Sequence, residues 1–320
     1  MEAKENAMRI LRFDHPERIV REMPAYWLSY LGCFHESFTG GGDNSPAGTN
    51  WVDIWGTRWQ KELEGVMGFP VGFPLAEVAS LKKYHWPDPN DERICEKIYK
   101  LANEFPGGDL FLAGYHNDTV WEKAHMLVGM EKIMVYFFDE PGFVHELLHE
   151  IMDFHLGIAK HYLEVGVELV MFDGDMFSQR GPLLSPRIFN EFLLPEYERL
   201  FKFYKERNVL IEFHACGCVE PFLETFMKLG VDILDPIQAT ANNLDNVRSI
   251  THGRMALRGG VNSATIMAGP VERIEEEVLM RILQLGKQGG YFCDADQALP
   301  FPKVHEDALY SAIQKFSQYH

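Results

Sequence analysis

The stretch IEFHACGCVEP, residues 211–221, places His214, Cys216 and Cys218 within five positions. Side chains alternate along a strand, so in VLIEFH (209–214) and its continuation, His214 and Cys216 project to one side. Apolar Val209, Ile211 and Phe213 then pack outward under helices. Cys293, which closes the last apolar run GYFCDA (290–295), can reach the same axis from a second strand. One imidazole and two thiolates converging in this way suit Zn²⁺, with a fourth position open for water or substrate. The alternative is that these are buried cysteines and a hydrogen-bonded histidine with no metal. Cys218 could close the site as a structural fourth ligand, but Gly217 is expected to turn the chain away from the strand.

A second metal pattern, HELLH at 145–149 with His155 beyond it, imitates a zinc-protease helix. That motif needs a glycine to break the helix so that the third histidine can return, and Met152 stands in that place. In an unbroken helix from Pro141 to about Gly166, His155 lies about 240° around from His149, so the triad cannot close. His145 and His149 are read as surface residues of a barrel helix.

The elements that must position these groups alternate from about residue 110 onward. Strands are expected at 109–114, 168–173, 209–214, 232–237, 255–260 and 290–295, with a possible seventh at 26–31 and no clear eighth. Helices are expected at 141–165, 186–207, 219–229, 270–286 and 305–318. This is the order of a (β/α)8 barrel in one domain over 1–320, with 1–108 as an irregular N-terminal part. The glycine-rich piece TGGGDNSPAGTN (39–50) lacks the Gly-Lys-Ser/Thr ending of a phosphate loop and is read as a surface loop or lid.

Catalytic groups of parallel barrels lie at the C-terminal ends of the strands. Six polar clusters fall there: YHND (115–118), DGDMFSQR (173–180), HACGC (214–218), DPIQ (235–238), GGVNS (259–263) and CDADQ (293–297). From them Asp173, Asp175 and Gln238 are candidate catalytic or orienting groups, with Asp294 and Asp296 beside Cys293. His116, Arg180 and Arg258 are candidate substrate-binding groups. Glu212, if it faces inward beneath His214, needs a partner in the core.

Composition removes other classes. With 30 Lys and Arg against 47 Asp and Glu, the formal charge of −17 disfavours nucleic acid and anionic membranes. No apolar run approaches the roughly 20 residues needed to span a bilayer, and the start carries no cleavable leader pattern, so a cytoplasmic protein is expected. Five scattered cysteines do not form a secreted disulfide framework, which leaves thiols free for a metal.

The chain resembles the uroporphyrinogen decarboxylase superfamily, and within it the zinc-dependent branch of methylcobalamin:coenzyme M methyltransferases. The resemblance rests on WVDIWGTRW (51–59), WPDP (86–89), GPLLSPRIFNEFLLPEY (181–197), HACG (214–217), GVDILDPIQ (230–238), RGGVNS (258–263) and QGGYFCDADQALP (288–300). It implies a (β/α)8 barrel with its site at the mouth and His214, Cys216 and Cys293 as zinc ligands. It also implies methyl transfer with a methylcorrinoid, on a corrinoid partner protein, and a small thiol or methylated substrate. The metal-free decarboxylases of the same superfamily are similar in carrying arginines on an N-terminal strand. AYWLSYLGCF (25–34) has none, so a carboxy-lyase is the second expectation.

Overall fold

The computed structural model describes residues 1–318. Seven parallel strands form one curled sheet in chain order: β1 (Ala25–Leu28), β2 (Phe111–His116), β3 (Leu169–Asp173), β4 (Leu210–His214), β5 (Ile233–Ile237), β6 (Ala256–Val261) and β7 (Tyr291–Ala295). The expected eighth strand is not formed. In its place, the chain ahead of β1 crosses the seam, where the Cys293 N–H donates to the Val20 carbonyl at 3.0 Å. Pro24 lacks the N–H that a ladder strand would donate there. The architecture is nonetheless an α/β barrel with helices around it.

Two apolar layers follow from the alternation of side chains. Phe111, Ala113, Leu169, Ile233, Ala256 and Phe292 point inward and fill the barrel floor. The helix Ala3–Arg12 plugs that floor with Ala7 and Ile10, and the Gly290 N–H bonds the Ile10 carbonyl at 2.8 Å. Ile211, Phe213, Val170, Phe172, Leu234 and Leu257 point outward into the main core beneath the helices. Anything polar and inward must therefore sit above the floor, toward the C-terminal ends.

The helix Pro141–Glu164 runs unbroken, with His145 and His149 exposed and His155 fully buried on the opposite side, as the helical geometry required.

The N-terminal part is a cap over the mouth. A small antiparallel sheet, Asn50–Val52, Arg58–Gln60 and Phe69–Gly72, stacks Trp51 on Trp59 on its inner face. The glycine-rich loop 39–50 is tied down through Asp43, which bonds His35 Nδ1 at 2.8 Å. His35 also reaches Asp118, in the loop after β2, from its Nε2 at 2.6 Å. Lys123 adds a bond to the same Asp118 oxygen at 3.0 Å, and all three residues are almost wholly buried.

Burial works against a charge on His35, but Asp118 and Asp43 outweigh it and raise its pKa from 6.5 to about 9. The folded value exceeds the unfolded one, so this stabilisation is complete below pH 6.5 and is lost as pH rises through about 9. It amounts to about 2–3 kcal/mol. Urea unfolding at mildly acidic and at alkaline pH is expected to show that difference, and His35→Gln to remove most of it.

Candidate metal centre and mouth

β3 and β4 run side by side with Asp173 paired to His214, which sets their polar ends level at the mouth. Past the end of β4, Gly217 adopts φ +102°, and its close approach to the Ser178 carbonyl leaves no room for a Cβ. The turn carries Cys218 away, where its N–H bonds the Ser178 carbonyl at 2.9 Å. Cys216 stays in the mouth, its sulfur 3.2 Å from His214 Nε2.

The third member of this group is Asp175. Its Oδ1 accepts the Cys216 N–H at 2.8 Å and lies 3.8 Å from His214 Nε2. One donor atom from each of Asp175, His214 and Cys216 lies within 4.8 Å of the others, and they form the metal-competent cluster among the described residues. All three are half-buried, so a ligand can reach them. The other ring nitrogen of His214 faces the buried Asp235 Oδ2 at 3.1 Å. A carboxylate there makes Nδ1 the protonated nitrogen and leaves the Nε2 lone pair directed at the cluster. Gln297, in the loop after β7, donates its side-chain N–H to Cys216 Sγ at 2.9 Å. An N, S and O donor set with an oriented imidazole fits Zn²⁺ with a fourth position open.

Cys293 does not join it. It is registered against Gly259 and shares the outer face of β7 with Tyr291, while Phe292 and Asp294 take the inner face. The Tyr291 hydroxyl bonds the Gly259 carbonyl at 2.7 Å, and Cys293 lies fully buried in the same layer. Burial pushes its thiol up to about 12. The expectation that Cys293 faces the axis is corrected by strand phase.

The same reason removes His116 from the substrate side. It points outward from β2 into the core, with Nδ1 3.1 Å from His155 and Nε2 2.7 Å from the Tyr204 hydroxyl. Burial, then the neighbouring His155, holds its pKa well below the usual value, so it stays neutral.

Of the remaining candidates, Asp173 is in the mouth, where the Tyr115 hydroxyl bonds both its oxygens at 3.2 Å. Burial, opposed by His214, pushes Asp173 up to about 7. Gln238 is buried and ties loops together, accepting from Gln179 Nε2 at 2.5 Å and donating to the Asp296 carbonyl at 3.4 Å. Arg180 is exposed on the hairpin Phe177–Pro182, next to Gln179. Asp296 caps Ser263, with Oδ1 2.5 Å from its hydroxyl.

Arg258 does face the interior, but acids surround its guanidinium: Glu212 at 2.9 Å, Glu22 at 3.1 Å, Asp294 at 3.2 Å and Asp235 at 3.6 Å. Glu212 thus has the partner it needed, although burial still pushes it up to about 7. A cavity of about 250 Å³ runs from His214 and Asp235 past Arg258 and Asp294 to Arg21 and Tyr310. Arg21 bonds Asp294 at 3.1 Å and lies over the Tyr310 ring at 3.9 Å.

Sequence reading missed Asp235, Gln297 and Arg21. Asp235 belongs to a polar cluster already noted and is paired in register with His214, so strand alignment would have found it. Gln297 and Arg21 lie in irregular chain without a phase to read.

Residues 70–295 match the uroporphyrinogen decarboxylase (URO-D) family model. The chain belongs to the uroporphyrinogen decarboxylase family. Within that family, the uroporphyrinogen decarboxylase of Hydrogenovibrio crunogenus is 25% identical over 263 residues, covering 77% of this chain and 71% of its own. That of Idiomarina loihiensis is 25% identical over 258 residues, covering 76% and 69%. A methyltransferase from Methanosarcina mazei superposes with TM-score 0.73 at 18% identity over 99% of each chain, which shows a shared fold. This member of the uroporphyrinogen decarboxylase family carries no arginine from Ala25 to Phe34, and its inward arginines are Arg21 and Arg258. Among the described residues, no helix is long and apolar enough to cross a membrane.

Proposed function

We propose that this chain is a zinc-dependent methyltransferase of corrinoid-linked methyl transfer, which activates a small thiol or passes methyl between a small substrate and a corrinoid protein. The observation that carries this reading is the Asp175, His214 and Cys216 group at the mouth, with Asp235 holding the imidazole. Zinc held there would supply a neutral site, one thiolate and one carboxylate balancing its charge, at which an incoming thiol loses its proton near pH 7 while staying electron-rich.

The chain's own residues supply the rest. Asp235 fixes the tautomer and ring angle of His214, and the Cys216 N–H to Asp175 bond holds those two side by side. Gln297 donates to the Cys216 sulfur and keeps it aimed into the mouth. The cavity beside them accepts the body of a small substrate, and a corrinoid protein presents its cofactor over the mouth.

The test is the spectroscopic loss of methylcob(III)alamin with a panel of thiols, including 2-mercaptoethanesulfonate. Thiol-dependent demethylation is expected, stopping with chelator and returning with Zn²⁺. A carboxy-lyase is the second reading, favoured by the two guanidinium groups beside the cavity, Arg21 and Arg258. Inertness toward every thiol, together with carbon dioxide released from uroporphyrinogen, would replace the first reading with the second.

Cys293→Ala separates this ligand set from one with two sulfurs. Zinc content and turnover are expected to stay within about twofold of the parent, with stability lower by about 1 kcal/mol from the small cavity. Metal analysis and thermal unfolding of one preparation measure both.

A further inference from the structure

We propose that the outer face of the helix Val271–Leu285 is a contact between two copies of this chain, packed antiparallel about a two-fold axis between positions 281 and 282. The inference is independent of the function proposed above. This helix lies between β6 and β7 on the barrel wall, and Ile274, Val278, Ile282 and Leu285 fix its inner face in the core.

Its outer face is apolar where a surface helix should be polar. Leu279, Met280 and Leu283 are 36%, 49% and 56% exposed and sit together on consecutive turns. Depressions flank this ridge on both sides, one beside Asp245 and Gln284, the other beside Ile19, Gly286 and Phe316. A ridge between two grooves is what an opposing helix packs against.

The charges choose the occupant. Glu276 stands one turn before the apolar group and Lys287 one turn after it, both exposed and neither in an ion pair among the described residues. Gly286 keeps right-handed backbone angles, φ −87° and ψ −7°, so Lys287 continues close to the line of the helix. Turned end for end, a second copy sets Leu283 against Met280 and Glu276 against Lys287, and the two-fold repeats both contacts. Parallel pairing would set Glu276 against Glu276. The ridge is therefore complementary to its own reverse, which an unrelated apolar partner would not require. On the barrel wall, the contact leaves both mouths open.

Sedimentation velocity of the whole protein, over a concentration series into the high micromolar range, tests this. A reversible dimer is expected. Glu276→Lys and Lys287→Glu should each weaken it roughly tenfold by opposing like charges, and the two together should restore it. Leu283→Glu should weaken it roughly 100-fold. Thiol-dependent turnover should be unchanged in all four, since none touches the mouth. A wild-type chain that stays monomeric overturns the proposal. So does a dimer indifferent to Leu283→Glu, or a double swap that fails to restore what the single swaps lost.

Discussion

Cys216→Ser is expected to leave purified protein with far less than one equivalent of zinc and to lower thiol-dependent demethylation by at least roughly 1,000-fold. Removing a group that only orients a ligand costs about 10–100-fold in metal affinity or activity, and loss of the ligand itself costs more. A serine hydroxyl keeps the side-chain size and can still accept from Gln297, whose amide lies 2.9 Å from the sulfur. The fold is therefore expected to persist while the soft donor disappears. Asp235→Asn provides the graded comparison. It keeps a hydrogen-bond acceptor 3.1 Å from His214 Nδ1 but removes the charge, so its loss should fall in the 10–100-fold range. Metal analysis after gel filtration, beside the demethylation assay, reads both variants. Full zinc occupancy in Cys216→Ser would remove that sulfur from the ligand set.

The second large effect concerns stability. Asp118→Asn is expected to destabilise the protein by about 3–5 kcal/mol, because it leaves two buried cations without their shared anion. Lys123 and His35 are each only 1% exposed, and both meet the same Asp118 oxygen. Burial works against the Asp118 charge, but His35 and Lys123 hold its carboxyl well below the usual range. Asp118 itself has φ +52° and Val120, two residues on, has φ +48°, so this turn exists only while its contacts hold it. Unfolding should begin in the cap, because the broken contact joins the cap to the β2 turn. Thermal unfolding should show a midpoint lower by on the order of 5–10 °C. An unchanged midpoint would mean that the buried network does not hold the cap.

The barrel was legible because parallel strands buried on both faces leave short apolar runs, and the runs expected at 168–173 and 290–295 form within one residue as β3 and β7. His214 was legible because β4 alternates cleanly, with Ile211 and Phe213 outward. β7 offers no such cue. Tyr291 and Phe292 are both apolar, one belonging to the outer core and one to the floor, so nothing in the run itself said which face Cys293 takes. His116 was misplaced for the same reason, since Phe111, Leu112 and Ala113 are all buried. The cap was illegible because its strands have three or four residues and no period. Its structure rests on Trp51, Trp59 and the His35 network, whose members are far apart in sequence. The helix Glu92–Asn103 did carry a readable start, Asp91, whose carboxylate caps the Arg93 N–H.

Zinc K-edge absorption spectroscopy of the substrate-free protein tests the ligand set most directly, because it counts sulfur neighbours apart from lighter atoms. One sulfur at about 2.3 Å with nitrogen and oxygen at about 2.0–2.2 Å is the result expected for Asp175, His214 and Cys216. Two sulfurs in the first shell would contradict it and return Cys293 or Cys218 to the metal.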